Sequence, residues 1–195
     1  MAPDEVVFYY DVSSPYAYLA AARIGETLPE AVWRPISFGV VVRRIDKLPW
    51  SMRPGRETGM ADVAERAAER GLPDVRWPEG WPAETYSLAP LRAAVAAERS
   101  GLLEPFTLEC YRLAFAEGRS LAELDNVLLA AERAGLDRDA VRAAIEDPAV
   151  KDRLREYTEE AIARGVTGVP TVAVGDRLFW GDDRLEEAAA AAATS

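Results

Sequence analysis

The chain has 195 residues, 23 Lys and Arg against 33 Asp and Glu for a net charge of −10, one Cys and no His. That balance argues against a nucleic-acid phosphate backbone as partner, because such binding draws on clustered Lys and Arg. The missing His excludes a Ser-His-Asp triad, a Cys-His pair and the common His-based zinc sites, while a single Cys110 excludes an internal disulfide and a thiolate metal cluster, so no metal site is expected.

Acid–base chemistry is thereby left to Asp, Glu, Tyr, Lys, Ser or a group supplied by a bound cofactor. The length suits one domain, or one domain carrying a large insertion. No apolar run of 18 residues exists, so no membrane partner is expected. The opening Met1-Ala2-Pro3-Asp4-Glu5 lacks the basic region and apolar segment of a signal peptide. Together with the lone cysteine it points to a cytoplasmic location.

Val6 to Tyr10 is a β-branched and aromatic run that predicts a buried strand, and Pro15 after Ser13-Ser14 predicts a helix start, running to about Thr27. A strand that runs straight into a helix N-terminus points unpaired N–H groups and the positive dipole end outward, which suits an anion such as a thiolate. Ser14 can donate a hydroxyl hydrogen bond there, with Ser13 as its competitor for the capping role. Ala31 to Phe38 predicts a second strand, with Pro35 placing it at an edge or a bulge and Gly39 as a break. Strand, helix and strand in that order imply a parallel pair.

From Val42 to Glu84 five prolines break the chain around one predicted helix, Met60 to Arg70. Trp50, Trp77 and Trp81 fall in this segment and, with Tyr16, suit the lining of a cleft for a small flat aromatic substrate; the alternative is that each Trp only fastens a Pro-rich loop to the body. Helices are then predicted over Ser87–Arg99, Pro105–Ala116, Ser120–Ala134 with a capping box at Ser120-Leu121-Ala122-Glu123, Arg138–Glu146 and Pro148–Ala163. Gly101, Gly118, Gly135 and Gly165 fall at their ends. Thr171–Val174 and Arg177–Trp180 around Gly175-Asp176 predict a hairpin, and a last helix follows from Asp182. Cys110, between helical apolar residues, reads as a small buried hydrophobe.

The stretch Asp11-Val12-Ser13-Ser14-Pro15-Tyr16-Ala17-Tyr18-Leu19 resembles the opening of the 2-hydroxychromene-2-carboxylate isomerases and kappa-class glutathione transferases. Ser14-Pro15-Tyr16-Ala17 stands where DsbA-type oxidoreductases carry Cys-Pro-x-Cys. Gly165-Val166-Thr167-Gly168-Val169-Pro170-Thr171 followed by Gly175 to Leu185 is similar to the C-terminal signature of the same group. The resemblance implies an α/β thioredoxin fold of the DsbA type, with halves at 1–45 and 164–195 and a large, mostly helical insertion at 46–163. It also implies a homodimer.

For the site, the resemblance implies a cis Val169–Pro170 whose backbone pairs with the cysteinyl unit of glutathione and holds its sulfur opposite Ser14. Asp183 matches the residue that takes the γ-glutamyl amino group. Asp182 departs from the family's neutral Ser, Asn or Gln and would repel the ligand's carboxylate, so that either the pocket is retuned or another low-molecular-weight thiol is bound. Arg53 and Arg56 fall near the family's cation for the glycyl carboxylate, with Lys47 and Arg43-Arg44 as weaker candidates; solvated loop arginines are the alternative. The activity implied is a glutathione-dependent cis-trans isomerisation with the thiolate activated by Ser14. A kappa-like transferase or peroxidase and a non-catalytic thiol- or peptide-binding module are the competing readings. Ser14 and Ala17 oppose a dithiol oxidoreductase.

Overall fold

The computed structural model describes residues 5–194, so the leader expectation on Met1 to Asp4, and the outer ends of the expected thioredoxin-like halves, lie outside the described residues. Strand β1 (Val6–Tyr10) leads into helix α1 (Pro15–Thr27) and strand β2 (Val32–Pro35). Strands β3 (Thr171–Val174) and β4 (Arg177–Trp180) close the sheet in the order β2-β1-β3-β4. β1 pairs parallel with β2, Val7 opposite Val32, and antiparallel with β3, Phe8 opposite Val172. The run Val-Val-Phe-Tyr-Tyr is buried throughout, β1 having a strand on each side and core residues of the helices packed over the sheet. Pro35 sits on the edge strand, where its missing N–H costs no ladder bond.

β2 ends three residues earlier than expected, and Gly39 lies inside a helix, α2 (Phe38–Arg44), instead of breaking the chain. The cause is long-range. The Phe38 N–H is capped by Asp11 Oδ2 at 2.9 Å, and the Ser37 N–H by Thr158 Oγ1 at 3.0 Å. A short 3-10 turn (Trp50–Met52) precedes α3 (Arg56–Glu69), which starts four residues before the expected Met60 because Gly55 at φ 82° turns the chain into it.

Helices α4 (Leu88–Ala97), α5 (Leu103–Tyr111), α6 (Leu124–Arg133), α7 (Arg138–Glu146) and α8 (Pro148–Ala163) follow. α5 continues as a π-turn through Arg112–Ala116. The capping box expected at Ser120 does not form. Its hydroxyl accepts the Ala122 N–H in a separate turn, and Glu123 itself stands at the N-cap of α6. Gly101, Gly118, Gly135 and Gly165 all have positive φ after helices or the π-turn. A 3-10 turn (Asp182–Arg184) intervenes before the last helix, α9 (Leu185–Ala192), which therefore begins later than Asp182.

One continuous core joins the sheet to these helices. Phe8, Tyr10 and Trp33 pack edge and face with centroids 5.0–5.6 Å apart, and Tyr10 reaches α5 through its hydroxyl, 2.8 Å from Thr107 Oγ1. Cys110 is fully buried, and burial pushes its thiol pKa well up. Among the described residues no helix is long and apolar enough to cross a membrane.

Candidate active site

Beyond Tyr10 the chain must leave the sheet and enter α1 in four residues, and Asp11 organises that passage. Its carboxylate is fully buried and accepts four hydrogen bonds. Oδ1 takes the Ser13 N–H and hydroxyl at 2.9 and 2.8 Å, and Oδ2 takes the Phe38 N–H and the Ser87 hydroxyl at 2.9 and 3.1 Å. The Tyr111 hydroxyl donates to the Asp11 carbonyl. Burial pushes the Asp11 pKa up, against the pull of those donors. Sequence reading quoted Asp11 within the motif but gave it no role; the signal available was a carboxylate directly after a buried strand.

The choice between the two serines follows from Asp11. Ser13 is turned onto that carboxylate, whereas Ser14 is the N-cap of α1, its Oγ accepting the Ala17 N–H at 3.2 Å and lying 3.4 Å from the Val169 carbonyl oxygen, to which it donates. The Val169–Pro170 bond is cis. The Val169 carbonyl, expected to be free, is thus engaged by Ser14, though at the long end of the hydrogen-bond range.

These groups form one side of a cleft of about 550 Å³. Phe38 and Val42 of α2, Ile45 at its C-cap, the segment Leu48 to Met52 with Trp50, and Trp81 supply an apolar wall. Of the residues expected here, Ser14, Tyr16, Trp50, Arg53, Trp81, Val169, Pro170, Asp182 and Asp183 line the cleft, and so does Lys47. Trp77 and Arg56 do not. Trp77 lies behind the wall, tilted against Trp81 with ring centroids 4.4 Å apart and edge-on to Phe115, contacts that fasten the loop to the body. Arg56 sits on the first turn of α3 beside Glu57, since the helix begins there instead of leaving a loop. Arg44 pairs with Glu159 and is also off the cleft.

The Asp182 carboxylate, the departure from the resembled family, faces two arginines. Asp182 is 1 % exposed, Oδ1 pairing with Arg66 at 3.0 Å and Oδ2 with Arg70 at 2.5 Å. Arg66 is held in turn by Asp62 at 3.0 Å, which accepts the Tyr16 hydroxyl at 2.7 Å. Burial and that bond push the Tyr16 pKa up, keeping its proton in place. Asp183 has a side chain 61 % exposed, 3.8 Å from Arg66. Arg66 comes from α3 and Arg70 from the C-cap of α3, a helix whose contribution to the site the local sequence pattern did not announce.

A family model described as a DSBA-like thioredoxin domain matches residues 5–193. Among curated proteins the chain is 27% identical to a 2-hydroxychromene-2-carboxylate isomerase of Sphingobium xenophagum, over 92% of this chain and 93% of the relative. It is 27% identical to Glutathione S-transferase kappa 1 of Homo sapiens, over 94% and 88%. Among solved structures, a 2-hydroxychromene-2-carboxylate isomerase superposes with a TM-score of 0.83 at 23% identity, covering 97% of this chain and 94% of the other.

Proposed function

The chain belongs to the DSBA-like thioredoxin domain family, and from that premise we propose that it is a glutathione-dependent cis-trans isomerase acting on a small aromatic substrate. One observation carries the reading: the hydroxyl of Ser14 stands at the N-terminus of α1, 3.4 Å from the carbonyl of the cis Val169–Pro170 unit, and the motif resemblance equates Ser14 and Ala17 with the two cysteines of a redox relative. The names of the similar proteins, isomerase and glutathione transferase, support the same chemistry.

The cleft fits a thiol tripeptide. A hydroxyl donor and a backbone carbonyl lie at its floor, an exposed carboxylate at Asp183, and the cations Lys47 and Arg53 on its lining. Bound glutathione would supply a thiolate that adds to a conjugated double bond and departs unchanged after rotation. The chain's own task is to lower the thiol pKa. The α1 dipole favours the anion, and Ser14 turns its proton from the Val169 oxygen to the sulfur, a small loss because the existing bond is long. Asp183 takes the ligand's ammonium group, and Lys47 or Arg53 the far carboxylate. Phe38, Trp50 and Trp81 hold the aromatic ring and exclude water.

The kappa relative favours a second reading, in which the same thiolate attacks an electrophile and is consumed. The test is turnover of an aromatic 2-hydroxychromene-2-carboxylate with substoichiometric glutathione. Isomerisation with full recovery of the thiol is the expected result. Stoichiometric loss of thiol would establish transfer instead, and binding without turnover of either kind would leave a thiol-binding module.

A further inference from the structure

The charged cluster beside the thiol site contains more than capping requires. Three carboxylates, Asp62, Asp182 and Asp183, face two guanidinium groups, Arg66 and Arg70. Asp182 and Arg70 lie deepest, with side chains 2 % and 17 % exposed, and pair with each other. Of the two arginines, Arg66 is the one that lines the cleft. Its Nε is fixed by Asp62 and its Nη1 by Asp182, while Nη2 has no hydrogen-bond partner among the described residues. Its Nη1 lies 3.8 Å from the exposed carboxylate of Asp183. Two prongs of a rigid fork are clamped, the third has no protein partner among the described residues, and the open carboxylate of Asp183 stands near the same guanidinium.

We infer that Arg66 is a specificity-determining residue that selects thiols carrying an unblocked α-amino-acid head group, its open Nη2 taking the head group's carboxylate while Asp183 takes the ammonium. The inference rests on the thiol-site reading above and deepens it. A ligand bearing a carboxylate alone would meet the Asp183 charge, and one bearing an amine alone would leave the guanidinium edge unpaired. A zwitterion answers both. The clamping matters because an arginine already held on two sides loses little side-chain freedom when the ligand arrives. Asp182 is then a buttress for Arg66 instead of an obstacle to the ligand.

Calorimetric titration of the full chain tests this with three probes: glutathione, γ-aminobutyryl-cysteinyl-glycine, which lacks the α-carboxylate, and N-acetyl-glutathione, whose amine is blocked. The wild type is expected to bind each altered probe about tenfold or more weakly than glutathione, the worth of one charge-assisted hydrogen bond. In Arg66→Gln, glutathione and the decarboxylated probe should bind within about twofold of each other, while N-acetyl-glutathione stays disfavoured. Arg66→Lys, which keeps the charge, should restore part of the discrimination. Equal wild-type affinity for glutathione and the decarboxylated probe overturns the inference, as does an undiminished difference in Arg66→Gln. Should the wild type bind none of the three, the thiol-site reading itself falls, a result distinct from either. The probe series in the wild type decides the matter even where a variant folds poorly.

Discussion

The hydroxyl of Ser14 lies 3.4 Å from the carbonyl oxygen of Val169, which joins the first turn of α1 to the loop before β3 across 155 residues of chain. A sulfur placed beside the Ser14 hydroxyl would meet its proton and the dipole of α1 together. Ser14→Ala removes the first and leaves the second. A hydrogen bond to a charged group is worth about 1.5–3 kcal/mol, so the pKa of bound glutathione should rise by about one to two units. Turnover near neutral pH should fall by about 10–100-fold. Ultraviolet absorbance of the thiolate against pH reads the first effect, and an unchanged titration curve would remove Ser14 from the chemistry.

Asp182 is buried between Arg66 and Arg70, and removing it leaves two cations facing one another, with Asp62 and the exposed Asp183 reaching Arg66 but no ion pair left for Arg70 among the described residues. Breaking a buried pair from one side costs about 3–5 kcal/mol, and the partial exposure of both arginines places this case at the lower end, about 3 kcal/mol. Asp182→Ser should therefore lower the urea midpoint markedly, even though serine is a residue the family resemblance would tolerate there. A change within about 0.5 kcal/mol, the range of an ordinary surface substitution, would show that the pair is not a stabilising element.

Asp11 offers acceptors to two main-chain donors on opposite oxygens, the Ser13 N–H and the Phe38 N–H. Asp11→Asn must turn its amide nitrogen toward one of them, leaving that N–H buried without a partner at a cost of about 1–3 kcal/mol. Either orientation loosens the site, through the Ser13-Ser14 loop or through the N-terminus of α2. Denaturant unfolding checks the stability loss. Amide hydrogen exchange at Ser13 and Phe38 should show faster opening at one of the two positions.

Cys110 is fully buried, and burial raises its pKa well above the ordinary 9.0. The folded chain therefore keeps the thiol protonated where the unfolded chain ionises it. Its contribution to stability is complete below pH 9.0 and is lost as the pH rises above that value. The stability difference between the wild type and Cys110→Ala should shrink as the pH is raised beyond 9. Iodoacetamide should modify Cys110 only on unfolding, and rapid alkylation of the folded chain would contradict its burial.

Much of the fold was legible in the chain because it rests on local causes. The apolar run Val6 to Tyr10, the proline at the first position of α1, the glycines after the helices and the Gly175-Asp176 hairpin each act within a few residues, and each element stands where the pattern placed it. Where the pattern failed, a distant partner intervened. Residues 38–44 form a helix because Asp11 caps it from 27 residues away, and the capping box at Ser120 is idle because Glu123 begins the helix instead.

The candidate site divides along the same line. That Ser14, Val169, Pro170, Asp182 and Asp183 belong to one cleft followed from two motifs at opposite ends of the sequence. Which serine caps α1 and reaches the Val169 carbonyl, that Trp77 supports the wall and Trp81 lines it, and that Asp182 is paired with two arginines were decided only by the tertiary structure. These outcomes depend on where side chains from Asp11, Phe115 and α3 arrive, Arg66 standing 116 residues from the carboxylate it neutralises. A sequence records which groups are present, but their charge and orientation in the site depend on contacts that chain spacing does not encode.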